Sequence, residues 1–162
     1  RLYGEAGLET RIEWPNALTV RGRRLGGILT EFSGRTGTLS GINTGIGINV
    51  NTARGDLPEG AICIAELTGS SCSEKLLASE LISALDASDK QFSPEEFSHS
   101  AENIIRRCTA LITCIGKKIR IIRGDTELTG TATGISETGA LIITDTGGNG
   151  LPVYFGEQIH YD

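Results

Sequence analysis

The chain has no methionine, one tryptophan and two histidines among its 162 residues, and aromatic residues make up only 5% of it. With no methionine and Arg1 in first place, it reads as a chain that has been cut, processed or trimmed. No apolar run approaches the roughly twenty residues that a bilayer-spanning helix needs, so no membrane role is expected. Residues 1–7 hold neither a basic-then-apolar signal nor an arginine-rich transit pattern, so secretion is not implied. Cys63, Cys72, Cys108 and Cys114 never fall at C-x-x-C spacing, and His99 and His160 stand far apart. That argues against a zinc site and fits reduced, mostly buried thiols in a cytoplasmic protein. Positive charge is also in short supply: the formal net charge is -5. Binders of the phosphate backbone gather Lys and Arg on one face, so nucleic acid is not an expected partner.

What is present suits a soluble globular chain, with 38% hydrophobic and 22% charged residues. Glycine stands out at 22 of 162 residues, about twice its usual share. Most of it lies in two clusters, 22–47 and 116–156, which predicts two β-rich segments with something helical between them.

Alternation predicts a strand over Leu8 to Trp14, ended by Pro15, and a second over Leu25 to Phe32. A third is predicted from Ile42 to Asn51. There Ile42, Thr44, Ile46, Ile48 and Val50 share one face, while Asn43, Gly45, Gly47, Asn49 and Asn51 share the other. Leu76, Leu77, Leu81, Ile82 and Leu85 recur at helical spacing within Ser73 to Ala87. Ser93-Pro94-Glu95-Glu96 forms a capping box that starts a second helix running to about Cys108. From Lys118 onward, turns at Gly124-Asp125, Glu137 to Gly139 and Gly147 to Gly150 divide a meander of four or five strands.

Three segments carry chemistry. The bare backbone at Gly45 and Gly47, flanked by Asn49 and Asn51, suits the floor of a pocket for a flat ligand; spacing alone equally allows a bulge or close approach of a helix. Arg23-Arg24 before Gly26-Gly27 places cations beside exposed backbone, as a phosphate or carboxylate requires, though two solvated arginines at a turn have the same sequence. Trp14-Pro15-Asn16 by itself is only a turn.

In order, these segments read Glu13-Trp14-Pro15-Asn16-Ala17, Arg24-Leu25-Gly26-Gly27-Ile28-Leu29-Thr30-Glu31 and Gly45-Ile46-Gly47-Ile48-Asn49-Val50-Asn51. They resemble the series K-W-P-N-D, K-L-x-G-I-L-x-E and G-x-G-I-N-x-N of the biotin protein ligases. Later segments agree: Leu57-Pro58, Ile115-Gly116-Lys117-Lys118, Gly139-Ala140-Leu141 and Gly156-Glu157. The resemblance covers nearly the whole chain. It implies an α+β fold, in which a mixed sheet with helices, part of a class II synthetase-like catalytic domain, occupies residues 1–112 and an SH3-like β-barrel occupies 113–162.

The same resemblance implies a two-step reaction: biotin and MgATP form biotinyl-5'-adenylate, which passes biotin to a lysine on a biotin carboxyl carrier domain. Arg24 stands where the family's lysine meets phosphate and carboxylate. Gly27, Ile28 and Gly45 would contact biotin; Asn16, Asn49 and Asn51 fall on the nucleotide side, Asn49 against adenine. No residue is assigned as a metal ligand. Departures from the pattern are Glu13 for lysine, Ala17 for aspartate and Arg24 for lysine; the second removes an oxygen suited to Mg²⁺. In the last strand, His160 and Tyr161 stand where relatives often have a basic residue. The family's biotin-closing loop and its ureido-recognising segment precede the first motif, so this sequence is expected to supply one half of a site. The expected protein partners are a missing preceding half, which would complete that site, or a second copy in a homodimer. No DNA-binding domain lies in these residues, so operon repression is not expected of them. A non-catalytic relative binding nucleotide, a biotin-like ligand or a carrier domain is the alternative, followed by a lipoate ligase relative.

Overall fold

The computed structural model describes residues 8–35, 38–89, 97–123, 125–154 and 158–161. They form two compact units, divided between Ala84 and Leu85.

The first unit is built on a four-stranded antiparallel sheet in sequence order: β1 (Thr10–Glu13), β2 (Ala17–Val20), β3 (Arg23–Arg35) and β4 (Thr38–Ile48). Its first turn is tight. The Trp14–Pro15 bond is cis, Trp14 is buried, and β1 returns at once as β2. Arg21 and Gly22, both at positive φ, make the next reversal. The sheet is antiparallel throughout rather than mixed as expected, and the parallel pairing is confined to an isolated bridge between Arg24 and Ala61. Glycine is obligatory at position 26, where a Cβ would stand 2.1 Å from the Gly47 carbonyl oxygen.

After a single 3-10 turn at Arg54–Asp56 the chain forms α1 (Ile64–Thr68), then α2 (Glu74–Asp89). Helix α1 is one turn long and leans on its caps, because five residues cannot offset helix nucleation unaided. The Cys63 thiol accepts from the Glu66 amide, and Gly69 closes the other end in the left-handed conformation that costs glycine least. The core of this unit is Val20, Leu25, Ile62 and Ile64, with Leu8, Ile48, Leu67, Cys72 and Leu77 packed around it.

The second unit holds α3 (Phe97–Leu111) and a five-stranded antiparallel sheet. Its strands are β5 (Lys118–Arg123), β6 (Thr126–Ile135), β7 (Leu141–Thr144), β8 (Gly150–Val153) and β9 (Gln158–Tyr161), in the order β8-β7-β6-β5-β9. Period-two alternation sends Ile119, Ile121, Ala132, Leu141, Ile143 and Val153 inward, each at most 1% exposed. At Gly130 a side chain would collide with Ile143 and the Thr144 carbonyl at 2.6 Å, so the sheet closes tightly there. The helix start expected at Ser93 to Glu96 lies outside the described residues. So does the Gly156-Glu157 pair.

Each expected strand and helix has a counterpart among the described residues, and β2 and α1 come in addition. The third strand stops at Ile48 instead of Asn51, because Asn49 and Asn51 spend their carboxamides on neighbouring backbone. Residues 60–63, after Pro58, form a strap leading into α1.

Candidate nucleotide and acyl-binding groove

Strands β3 and β4 pair with Gly27 opposite Gly47 and Leu29 opposite Gly45. Directly opposed residues share a face, so Gly27, Gly45 and Gly47 leave three adjoining positions of one face bare, with the Leu29 side chain beside them. A Cβ at Gly47 would meet nothing within 4 Å, and one at Gly45 would meet only the Leu29 carbonyl at 3.9 Å. The bare stretch therefore opens on space rather than on a packed neighbour. At Gly27 the same face is roofed: a Cβ there would lie 3.2 Å from both the Arg24 guanidinium and the Asn16 carbonyl oxygen.

The result is a shallow groove of about 520 Å³ lined by Asn16, Arg24, Gly27, Ile28, Leu29, Gly45, Ile46 and Gly47. Five of the residues singled out from sequence come together in it: Asn16, Arg24, Gly27, Ile28 and Gly45. Gly47, read with Gly45 as a bare pocket floor, joins them, whereas Leu29 and Ile46 carry no such sequence signal. Gly47 was visible in the Gly45-x-Gly47 spacing, but Leu29 becomes a neighbour only through the strand register.

The two arginines have separate tasks. Arg23 donates to both oxygens of Glu66, at 2.5 and 3.2 Å, and to the Ala61 carbonyl at 2.6 Å. This pairing holds the Glu66 carboxyl below its ordinary range and raises the Arg23 guanidinium above its own, the shared hydrogen bond being the main cause in each. Arg24 makes no side-chain hydrogen bond or ion pair among the described residues, and its guanidinium overhangs the groove beside Gly27. A cation with no internal partner beside bare backbone is suited to an anionic oxygen. The Arg24 main chain, by contrast, is fixed. Its N–H donates to the Gly60 carbonyl, and its own carbonyl accepts from Ile62 N–H.

Asn49 and Asn51 lie beyond the lined groove. The Asn49 amide nitrogen donates to the carbonyls of Arg24 and Ile62, at 3.4 and 3.2 Å, leaving its carboxamide oxygen as an acceptor without a partner among the described residues. Asn51 is engaged on both ends: its nitrogen donates to the Cys72 carbonyl and to Glu74, and its oxygen accepts from Cys72 N–H. Asn51 borders a second open crevice with Ile48, Val50, Thr52 and Glu74.

No carboxylate lines the groove, and no group of three or more His, Cys, Asp or Glu able to hold a metal ion occurs among the described residues. With Ala17 where an acidic residue would supply oxygen ligands, the groove's side chains do not fit a protein-held Mg²⁺. No helix among the described residues is long and apolar enough to cross a membrane.

Residues 114–161 match the family model described as the biotin protein ligase C terminal domain. Over 142 residues the chain is 33% identical to the bifunctional ligase/repressor BirA of Salmonella typhimurium, a match covering 86% of this chain and 43% of that protein. Over 153 residues it is 29% identical to the biotin–[acetyl-CoA-carboxylase] ligase of Mycobacterium tuberculosis, covering 94% of this chain and 53% of that one. The chain thus spans about half the length of the curated relatives it matches. Its fold is similar to that of the biotin protein ligase from Aquifex aeolicus in complex with biotin and ATP. The TM-score is 0.75 at 24% identity, over 99% of this chain and 66% of that chain.

Proposed function

Since this chain belongs to the biotin protein ligase family, we propose that it supplies the nucleotide-side half of a site that forms biotinyl-5'-adenylate and passes biotin to a carrier-domain lysine. The single observation that carries this reading is the juxtaposition of an unpartnered Arg24 guanidinium with the glycine stretch of β3 and β4. The Aquifex relative that shares the fold is described as bound to biotin and ATP, which supports the same substrate pair here.

In the first step a biotin carboxylate oxygen attacks the α-phosphorus of ATP, a P–O bond forms, and pyrophosphate leaves. In the second the carrier lysine amine attacks the acyl carbon and AMP leaves with the bonding electrons. Neither step needs a covalent enzyme intermediate, so the protein's task is positioning and charge compensation. Arg24 spans carboxylate and phosphate, and its planar fork can hold one oxygen of each. Gly27 and Gly45 let the acyl chain lie on backbone, Ile28 borders it in the same groove lining, and Asn16 sits at the phosphate end. The free oxygen of Asn49 accepts from the adenine amino group. Asn51 serves the nucleotide side through the turn it holds at Cys72. Mg²⁺, where the reaction uses it, would arrive with the nucleotide, since no side chain lining the groove is suited to hold it. The catalytic part is assigned to residues 1–112, with α3 as its last element although α3 groups with the second compact unit, and the barrel to 113–162, a boundary supported by the family match beginning at residue 114. A cytoplasmic location, a biotin carboxyl carrier domain as acceptor, completion of the site by a preceding half, and a homodimer belong to the same reading.

The lack of any carboxylate in the groove favours one further reading, a relative that binds without turnover. Calorimetric titration with a non-hydrolysable biotinyl-adenylate analogue addresses what both share. Saturable binding that Arg24→Ala weakens supports the groove; equal binding by both proteins refutes it. Turnover in a reconstituted ligase then separates enzyme from binder.

A further inference from the structure

The Arg23–Glu66 pair stands outside the groove, yet it holds the strap to which the Arg24 main chain is bonded. Residues 60–63 run beside β3, forming the isolated parallel bridge of Ala61 to Arg24. Two backbone bonds flank that bridge, Arg24 N–H to the Gly60 carbonyl at 2.8 Å and Ile62 N–H to the Arg24 carbonyl at 2.9 Å, and the Asn49 carboxamide donates to the carbonyls of Arg24 and Ile62. Opposite, the β2–β3 register shifts between Leu18 and Thr19, so Leu25 is the extra residue of a bulge. Bulges turn side chains in new directions but leave the local ladder weak. Arg24 is therefore aimed by the strap, and the strap is held in turn by Arg23, which grips the Ala61 carbonyl and, on the one-turn helix that follows, Glu66.

We propose that Arg23 and Glu66 are positioning residues for Arg24: their ion pair fixes the 60–63 strap, and the strap sets where the Arg24 guanidinium meets the ligand. The inference rests on the groove reading for its functional half. Its structural half stands without any ligand.

The test has two arms in the full chain. In the first, amide hydrogen exchange is followed at Arg24 and Ile62, with Ile28, whose N–H donates to Asn16 instead, as internal reference. Glu66→Ala should speed exchange at the first two and leave Ile28 unchanged; protection equal to wild type at Arg24 and Ile62 overturns the proposal. The second arm is a double-mutant cycle on titration of the non-hydrolysable biotinyl-adenylate analogue. Glu66→Ala and Arg23→Met should each weaken binding about tenfold, the scale of one lost charge-assisted hydrogen bond. In an Arg24→Ala background the same changes should cost less than about twofold, because their effect passes through Arg24. Additive losses, as general loosening of the fold would give, overturn the proposal, and so does wild-type affinity in a folded Glu66→Ala. Glu66→Gln, which keeps an acceptor for Arg23, should recover part of the affinity and covers the case in which alanine unfolds the chain. Absence of binding by the unmutated chain would refute the groove reading alone, and the exchange arm would still decide the clamp.

Discussion

Gly45→Val separates a pocket floor from a structural glycine more sharply than any other single change. The ideal Cβ at position 45 has one neighbour, the Leu29 carbonyl at 3.9 Å, which is ordinary van der Waals distance. The strand therefore accepts a side chain without moving. Valine also suits extended backbone better than glycine, so the stability change should stay within about 1 kcal/mol and can be favourable. The added isopropyl group points into the groove, where it takes the space of an acyl chain lying on backbone. A loss of at least a hundredfold in affinity, about 2.7 kcal/mol, is expected on calorimetric titration with the biotinyl-adenylate analogue. Gly26→Ala is the matched control. Its methyl would stand 2.1 Å from the Gly47 carbonyl oxygen, so the strands must part, at a cost of about 1–3 kcal/mol or more. The two substitutions should thus exchange phenotypes, one losing ligand with the fold intact and the other losing stability. Normal analogue binding by Gly45→Val would refute the assignment of this face to the ligand.

Other predictions follow from the same geometry. Arg24→Lys should bind the analogue more weakly than wild type but better than Arg24→Ala, since lysine keeps the charge and loses the planar fork; titration of the three proteins measures the order. Asn49→Ala removes both the acceptor offered to adenine and the donor to Arg24 and Ile62, and should weaken AMP as well as the full analogue; unchanged AMP binding would move adenine elsewhere. Ile121→Ala, at a fully buried position, should destabilise the second unit by about 2–5 kcal/mol in chemical denaturation. The Glu66 carboxyl is held low by Arg23, with Arg54 adding a smaller pull. Its stabilisation is present above the ordinary glutamate value of about 4.3 and is lost as pH falls through the lowered folded value. Denaturation curves at pH 7 and pH 3 should therefore differ less for Glu66→Gln than for the wild type.

The sequence was most readable where side-chain alternation and glycine coincide. Gly45 and Gly47 beside Ile46 and Ile48 announced a strand with one bare face, and Arg24 before two glycines announced a cation next to exposed backbone. The facing register was not readable: nothing local says that Gly27 lies opposite Gly47 or that Gly26 is the glycine with no room. Asn49 and Asn51 looked alike as continuations of the strand, but both turn out of it to bond backbone, and only Asn49 keeps a free oxygen. Arg23 and Arg24 also looked alike. What separates them is Glu66, a partner 43 residues away on a helix too short to carry a periodic signal. Helix α1 itself was hidden because a single turn inside an apolar segment reads equally well as strand.

The central claim, that this chain carries one half of a biotin ligase site, is tested most directly by supplying the other half. The chain is mixed with a polypeptide bearing the preceding part of a biotin protein ligase, and pyrophosphate release from ATP is followed with and without biotin. The account predicts biotin-dependent release that neither part gives alone and that Arg24→Ala abolishes. Release that ignores biotin, or silence from a complex that demonstrably forms and binds the adenylate analogue, would contradict it.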